Sequence, residues 1–290
     1  MTPVVALIAP GMMGAAVGKR LVDNGLKVLT SLNGRSPETA ARAKAAGMVS
    51  SSDEEIAASD FILSILPPGD AVALAERFVP ALKASNAKPV YVDCNAINPR
   101  TVDRVASTLA PTACPFVDAG IIGSPPKPPA AGEGKIAGSP RFYASGSAAP
   151  RFAALRDYGL DVRVLGGPMS AASALKMSYA GITKGTQAIG AAMMLAASRA
   201  GSADALFNEL QGSQKEMLAW FKRALAQMPP KAYRWVAEMH EIAGFVGEDP
   251  TAHELYEGAA HFYEHIAGDF DGAKTEVAAL AKFLDKGGAG

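Results

Sequence analysis

The chain has 290 residues, 49% of them hydrophobic, with 28 basic side chains against 28 acidic ones. That balance gives no electrostatic case for nucleic acid or an anionic membrane, and the length calls for one or two domains. Cys94 and Cys114 each sit in or beside a strand-like run, Met1-Thr2-Pro3 lacks a basic signal-peptide lead, and Lys176, Lys184 and Gln187 interrupt the longest apolar stretch; reduced thiols, a cytoplasmic setting and no membrane span are expected.

The first element is an apolar strand, Val4-Val5-Ala6-Leu7-Ile8, running into Ala9-Pro10-Gly11-Met12-Met13-Gly14 and then a helix-compatible run over residues 15–24. Strand, glycine turn and helix in that order form a cradle for a dinucleotide pyrophosphate. Gly11 lets the backbone approach the ligand, Gly14 lets the helix pack close, and the N–H groups of Met12, Met13 and Gly14 stand at the positive end of the helix dipole. Alanine replaces the first glycine of the usual motif, so the context carries this reading as much as the pattern does.

A second strand is expected over residues 27–32. An NAD site places an acid after it to bond the ribose hydroxyls, but no carboxylate lies between Asp23 and Glu38, and the chain offers Asn33-Gly34-Arg35-Ser36 instead. That favours NADP, with Arg35 stacked on adenine or forked onto the 2′-phosphate and Ser36 donating its hydroxyl to the same group. Further strand-length runs follow at 61–66, 90–93, 116–122, 142–145 and 162–165, the early ones separated by alanine-rich helical segments. Such alternation predicts a doubly wound, Rossmann-type α/β sheet. The Pro- and Gly-rich segment 123–138 is read as a loop beside the site.

Beyond Gly166-Gly167-Pro168 no strand pattern recurs. The expected organisation is therefore a nucleotide-binding domain over 1–166 and an all-α domain over 167–290. Helix starts are expected at Ser202 and Asp249-Pro250, a break at Pro229-Pro230, and fraying at Gly287 to Gly290. The first helix of this half, about residues 170–199, is small and apolar except for Ser173, Lys176, Thr183, Lys184 and Gln187, which fall within roughly 80° of one another at 100° per residue. A narrow polar stripe on a helix otherwise suited to burial calls for an aqueous cleft or a ligand, and Lys176 is its candidate for proton exchange. A later segment, residues 231–241, concentrates Trp235, Glu238 and His240 as candidate substrate contacts. His261 and His265 have i, i+4 spacing, but no accompanying glutamate motif or cysteine supports a metal, and none is expected.

With these features in order, the chain resembles the β-hydroxyacid dehydrogenase and 6-phosphogluconate dehydrogenase superfamily. The resemblance rests on the glycine turn, the arginine after the second strand, Ser64-Ile65-Leu66-Pro67-Pro68, Asp93-Cys94-Asn95, Asp118-Ala119-Gly120, and a lysine early in a long helix. It implies that Leu66, Pro67 and Pro68 line the nicotinamide side, that Asn95 borders cofactor and substrate, and that Lys176 is the general acid/base. It also implies hydride transfer between the nicotinamide and a hydroxy or carbonyl substrate.

The substrate-binding segment departs from the family. Where relatives commonly read Asp-Ala-Pro-Val-Ser-Gly-Gly, this chain reads Asp118-Ala119-Gly120-Ile121-Ile122-Gly123-Ser124, and Ala180 stands where an asparagine usually follows the lysine. Losing a hydroxyl and an amide favours a bulkier or less polar small molecule than a hydroxycarboxylate, held by Ile121, Ile122, Gly123, Tyr179, Trp235 and His240. Lys184, about 12 Å along the helix from Lys176, either binds a distal anionic group or bridges to the other domain. An imine reductase is an alternative, though such enzymes usually carry aspartate or tyrosine at the lysine position; a silent NADPH-binding sensor is another. Trp220, Phe221, Trp235, Phe245, Tyr256, Phe262 and Tyr263 give the helical half more apolar surface than it is expected to bury alone, which predicts a homodimer through these helices.

Overall fold

The computed structural model describes residues 2–286; the glycine tail expected to fray lies outside the described residues. Two compact units emerge, Met1–Met177 and Ser178–Gly290. The boundary expected after Gly166 moves into the long helix, because the first turns of that helix pack on the sheet of the first unit.

The strands of the first unit are β1 (Val4–Ile8), β2 (Lys27–Thr30), β3 (Val49–Ser50), β4 (Phe61–Ser64), β5 (Val90–Asp93), β6 (Phe116–Ile122), β7 (Arg141–Ser145) and β8 (Asp161–Val164). Between them run α1 (Met12–Asp23), α2 (Pro37–Ala45), α3 (Asp53–Ala57), α4 (Ala71–Ala84), α5 (Pro99–Leu109) and α6 (Ala149–Ala153). The eight strands form one sheet in the order β3-β2-β1-β4-β5-β6-β7-β8, parallel throughout except for the antiparallel β6–β7 pair. The central strands are apolar at nearly every position because both faces are covered. Alternate residues go to opposite faces: Val5 and Leu7 join Val17, Leu21, Phe142 and Phe152 in one core, whereas Ala6 and Ile8 join Ile62, Phe78, Val102 and Val105 in the other. The order reverses between β1 and β4, and the crevice beyond the carboxyl ends of strands at such a switch is where open α/β sheets take ligands.

The expected strands are all present, with β2 and β4 each ending two residues sooner than predicted. The two-residue edge strand β3 was not expected, since so short a pairing leaves no periodic signal. The segment 123–138 is irregular, as expected, and leaves the sheet at the carboxyl end of β6. Arg20, buried on α1, donates to the carbonyls of Lys135 at 2.7 Å, Ala137 at 3.1 Å and Lys127, and so fastens that loop to the end of α1 remote from the turn.

The second unit continues α7 (Ala171–Arg199), which begins in the first, and adds α8 (Ala203–Ser213), α9 (Lys215–Leu225), α10 (Ala232–Phe245), α11 (Pro250–Asp271) and α12 (Thr275–Leu284). Helix α11 starts where expected, with the Asp249 carboxylate accepting from the backbone N–H groups of Thr251 and Ala252. A single 3-10 turn at Pro229–Lys231 separates α9 from α10. Among the described residues no helix is long and apolar enough to cross a membrane, and no group of three or more His, Cys, Asp or Glu is arranged to hold a metal.

Candidate active site

At the head of β1 the chain leaves the sheet through Ala9, Pro10 and Gly11, and Gly11 caps α1 without any side-chain hydrogen bond. The first-turn N–H groups of α1 have no intrahelical acceptors and stand open for an anion. A Cβ placed on Gly11 would meet nothing within 4 Å, whereas one on Gly14 would strike the Ala9 carbonyl and the Leu7 side chain. Gly11 leaves the outer face clear, and Gly14 lets α1 sit on β1. This donor set fits a dinucleotide pyrophosphate.

The loop after β2 is anchored by side chains that the sequence did not single out. Arg77 of α4 grips Asp53 through two hydrogen bonds of 2.8 and 2.7 Å and donates to the buried Ser31 hydroxyl at 2.6 Å. This fixes the start of the segment that carries Arg35 and Ser36. The Arg35 guanidinium is exposed and takes no partner among the described residues. Ser36 is the N-cap of α2 and its Oγ accepts from the Thr39 N–H at 3.3 Å, so its hydroxyl serves the helix first. Arg42, also unpredicted, donates from Nε to the Pro10 carbonyl at 3.3 Å.

Pairing register brings Ile8, Ser64 and Asp93, at the carboxyl ends of β1, β4 and β5, level with Asp118, four residues before the end of β6. Asn95 is spent within this layer. Its Oδ1 accepts from the Leu66 N–H at 2.5 Å, and its Nδ2 donates to Ser64 Oγ at 2.8 Å and to Asp93 Oδ2 at 3.1 Å. The amide expected to border cofactor and substrate is thus buried and spent within the protein, its Oδ1 holding the loop of Leu66, Pro67 and Pro68, which itself remains accessible, and its Nδ2 the ends of β4 and β5. Asp93 is wholly buried and its carboxyl is pushed up to about 7, chiefly by burial, against the hydrogen bonds from Asn95.

Asp118 performs the parallel task for α7. One carboxylate oxygen accepts from the Ser173 N–H at 2.8 Å and the other from Ser173 Oγ at 2.6 Å, satisfying the first turn of the helix. Ser145 reinforces the junction, donating to the Met169 carbonyl at 2.6 Å and accepting from the Ala172 N–H at 3.0 Å. Burial raises the Asp118 carboxyl to about 6 despite these bonds. One turn further along α7, Lys176 Nζ donates to the Ile121 carbonyl at 2.8 Å. The ammonium is thus half-buried at the end of β6, about 14 Å along the sheet edge from β1 at three strand spacings. Ile121 contributes that carbonyl only; its side chain is buried in the core, so it is withdrawn from the expected substrate contacts, while Ile122 is half-buried and Gly123 exposed.

The remaining expected contacts lie in the helical unit, where each has a structural engagement of its own. Lys184 is ion-paired with Glu238 and its Nζ stands 4.9 Å from the Trp235 ring centroid, so the bridge expected to the other domain is formed within the helices instead. Trp235 packs edge-on against Tyr263 at 5.2 Å, and His240 Nδ1 lies 3.0 Å from Glu257. Thr183 Oγ1 donates back to the Tyr179 carbonyl at 2.8 Å and Gln187 Nε2 to the Thr183 carbonyl at 3.0 Å, while Tyr179 is 49% exposed. Within the polar stripe, Ser173, Thr183 and Lys184 are committed within the protein, as is the Gln187 amide nitrogen, whereas Gln187 Oε1 is buried without a hydrogen-bond partner among the described residues.

Residues 4–148, half of the chain, match the model of the NAD binding domain of 6-phosphogluconate dehydrogenase. The chain belongs to the 6-phosphogluconate dehydrogenase superfamily. Residues 197–266 match a second family, described only as a domain of unknown function, DUF1932. An uncharacterized 28.5 kDa protein of Methanothermus fervidus is 27% identical over 265 residues, 90% of this chain and 98% of that one. A conserved protein of unknown function, described as structurally similar to 3-hydroxyacid dehydrogenases, is 28% identical with a TM-score of 0.67, covering 96% of this chain and 99% of the other. The 3-hydroxyisobutyrate dehydrogenase of Mycobacterium tuberculosis, solved with L-serine, shares the superfamily fold at a TM-score of 0.66 and 20% identity over 97% of this chain and 99% of its own. The imine reductase of Myxococcus stipitatus, solved with NADP+, shares it at 0.54 and 14%, over 97% and 99%.

Proposed function

We propose that this protein is an NADP-dependent oxidoreductase that moves a hydride between the dinucleotide and a hydroxy or carbonyl substrate, with Lys176 as general acid/base. The observation that carries this reading is the Lys176 ammonium held at 2.8 Å by the Ile121 carbonyl. It is fixed on the same sheet edge as the glycine turn.

A bound nicotinamide supplies the hydride. The turn at Gly11 and the first-turn N–H groups of Met12, Met13 and Gly14 hold the pyrophosphate, and the unpaired guanidinium of Arg35 answers the ribose phosphate. Leu66, Pro67 and Pro68 form the apolar wall on the nicotinamide side and exclude water there. A lysine ammonium has three donors. The Ile121 carbonyl takes one and orients the group, leaving two for the substrate oxygen. In carbonyl reduction the Lys176 ammonium gives a proton to the forming alkoxide and becomes the amine; in oxidation the amine accepts the hydroxyl proton and becomes the ammonium. Ile122, half-buried where relatives commonly carry a serine hydroxyl, favours a bulkier or less polar substrate than a small hydroxycarboxylate.

The test is a comparison of wild type with Lys176→Ala on NADPH and a panel of aldehydes, ketones, β-hydroxy acids and imines. NADPH binding is expected to survive the substitution while turnover falls by about 10²- to 10⁴-fold. Turnover that persists in the variant overturns the role of Lys176. NADPH binding with no turnover by wild type on any substrate favours the sensor.

A further inference from the structure

We propose that Arg42 is a second cation for the phosphate on the adenosine ribose of the dinucleotide, and so helps set the preference for the phosphorylated cofactor; this rests on the NADP reading of the nucleotide unit. Arg42 stands about one and a half turns into α2, too far along the chain from Arg35 to be read as part of the same motif. The fold brings it to the glycine turn. Its Nε donates to the Pro10 carbonyl at 3.3 Å, in the residue immediately before Gly11. Its Nη2 donates to Thr39 Oγ1 at 2.9 Å, and the same oxygen accepts from Ser36 Oγ at 3.3 Å.

Two anchors therefore hold the planar fork between the pyrophosphate cradle and the cap of α2, and its Nη1 has no acceptor among the described residues. Anchoring removes in advance much of the rotamer entropy that a surface arginine loses on binding. Neither Arg35 nor Arg42 has a carboxylate within ion-pair distance among the described residues. The acid in the first turn of α2, Glu38, is held in its charged form chiefly by its hydrogen bond to Ser36 and also by the Arg42 charge, and it opposes a phosphate. Set against that single carboxylate, Arg35 and Arg42 together leave one net positive charge on residues 33–42.

Fluorescence titration with NADPH and NADH, on the full-length wild type and on Arg42→Ala, Arg42→Lys and Arg35→Ala, tests this. Arg42→Ala is expected to weaken NADPH about tenfold or more, the loss typical of a charge-assisted hydrogen bond, and to leave NADH unchanged. Arg42→Lys should recover part of the loss, because the charge returns without the fork. Equal weakening of both dinucleotides would reduce Arg42 to a structural tether, and an unchanged ratio would remove it from recognition; either overturns the inference while the NADP reading stands. A wild type that binds neither dinucleotide, or prefers NADH, overturns the NADP reading and Arg42 with it.

Discussion

Asp93 and Asp118 are the residues on which the site's internal order depends, and they depend in turn on pH. They are register neighbours on adjacent parallel strands, both fully buried, one closing the Asn95 loop and the other the first turn of α7. Burial is the main cause that lifts them, from an ordinary 3.8 to about 7 for Asp93 and about 6 for Asp118. Between pH 4 and 7 the folded unit therefore retains protons that the unfolded chain has released. Their contribution to stability is fully present below the unfolded value and is lost as pH rises through the folded values. Asp93→Asn removes one titration and keeps the shape, with a constant offset for the lost acceptor. Relative to wild type, the variant should gain stability with rising pH across this window, by at most about 1.4 kcal/mol per pH unit. Urea unfolding of both proteins from pH 4 to 8 measures the gap, and a gap that stays flat refutes the buried-proton account.

At the level of elements, the site is a matter of how closely α7 approaches β6. A Cβ on Gly120 would lie 3.0 Å from both the Ala172 carbonyl oxygen and the Lys176 Cβ, so this glycine supplies space, not unusual backbone. Gly120→Ala should push the helix off the strand and destabilise the nucleotide unit by about 1–3 kcal/mol, the usual range for overpacking. Gly11→Ala is the control. Its backbone, at φ −68, suits alanine and nothing lies within 4 Å, so stability should hold while dinucleotide affinity drops. Thermal unfolding and NADPH titration of the two variants check the contrast; equal behaviour would remove the distinction between packing and ligand glycines. The sequence made the strand-turn-helix unit at the N-terminus, the strands of the sheet and the long helix that carries Lys176 legible, because those are local patterns of spacing and polarity. It hid Arg42, Arg77 and the true partners of Asn95 and Lys184, because each bond joins elements distant in the chain. Ile121 misled for a simpler reason: which of two adjacent isoleucines faces the core depends on strand register.

For the whole molecule, the expected homodimer needs a different surface from the one the composition suggested. Phe221 and Tyr263 are 5% and 0% exposed, and Trp220, Trp235, Phe245, Tyr256 and Phe262 are all at least half-buried, so the helical unit covers each aromatic residue on which that expectation rested. Besides the separate side chains Met217, Tyr233 and Leu255, it leaves open one face of α7: Tyr179 at 49%, Ile182 at 70%, Ile189 at 54% and Met193 at 58% exposure. With the exposed Thr186 between them, these positions alternate steps of three and four residues, the seam spacing of packed helices. Water is a poor neighbour for so regular an apolar line, and a symmetric pair is the commonest way to cover one. We propose that two copies associate along this seam. Wild type at micromolar concentration should scatter light as twice 29.9 kDa, and Ile182→Glu with Ile189→Glu should halve that mass without unfolding the chain. The substitutions put two like charges per copy on a face that a monomer already exposes, so they cost little unless the face is shared. A monomeric wild type, or a doubly substituted variant that remains dimeric, would move the association elsewhere or abolish it.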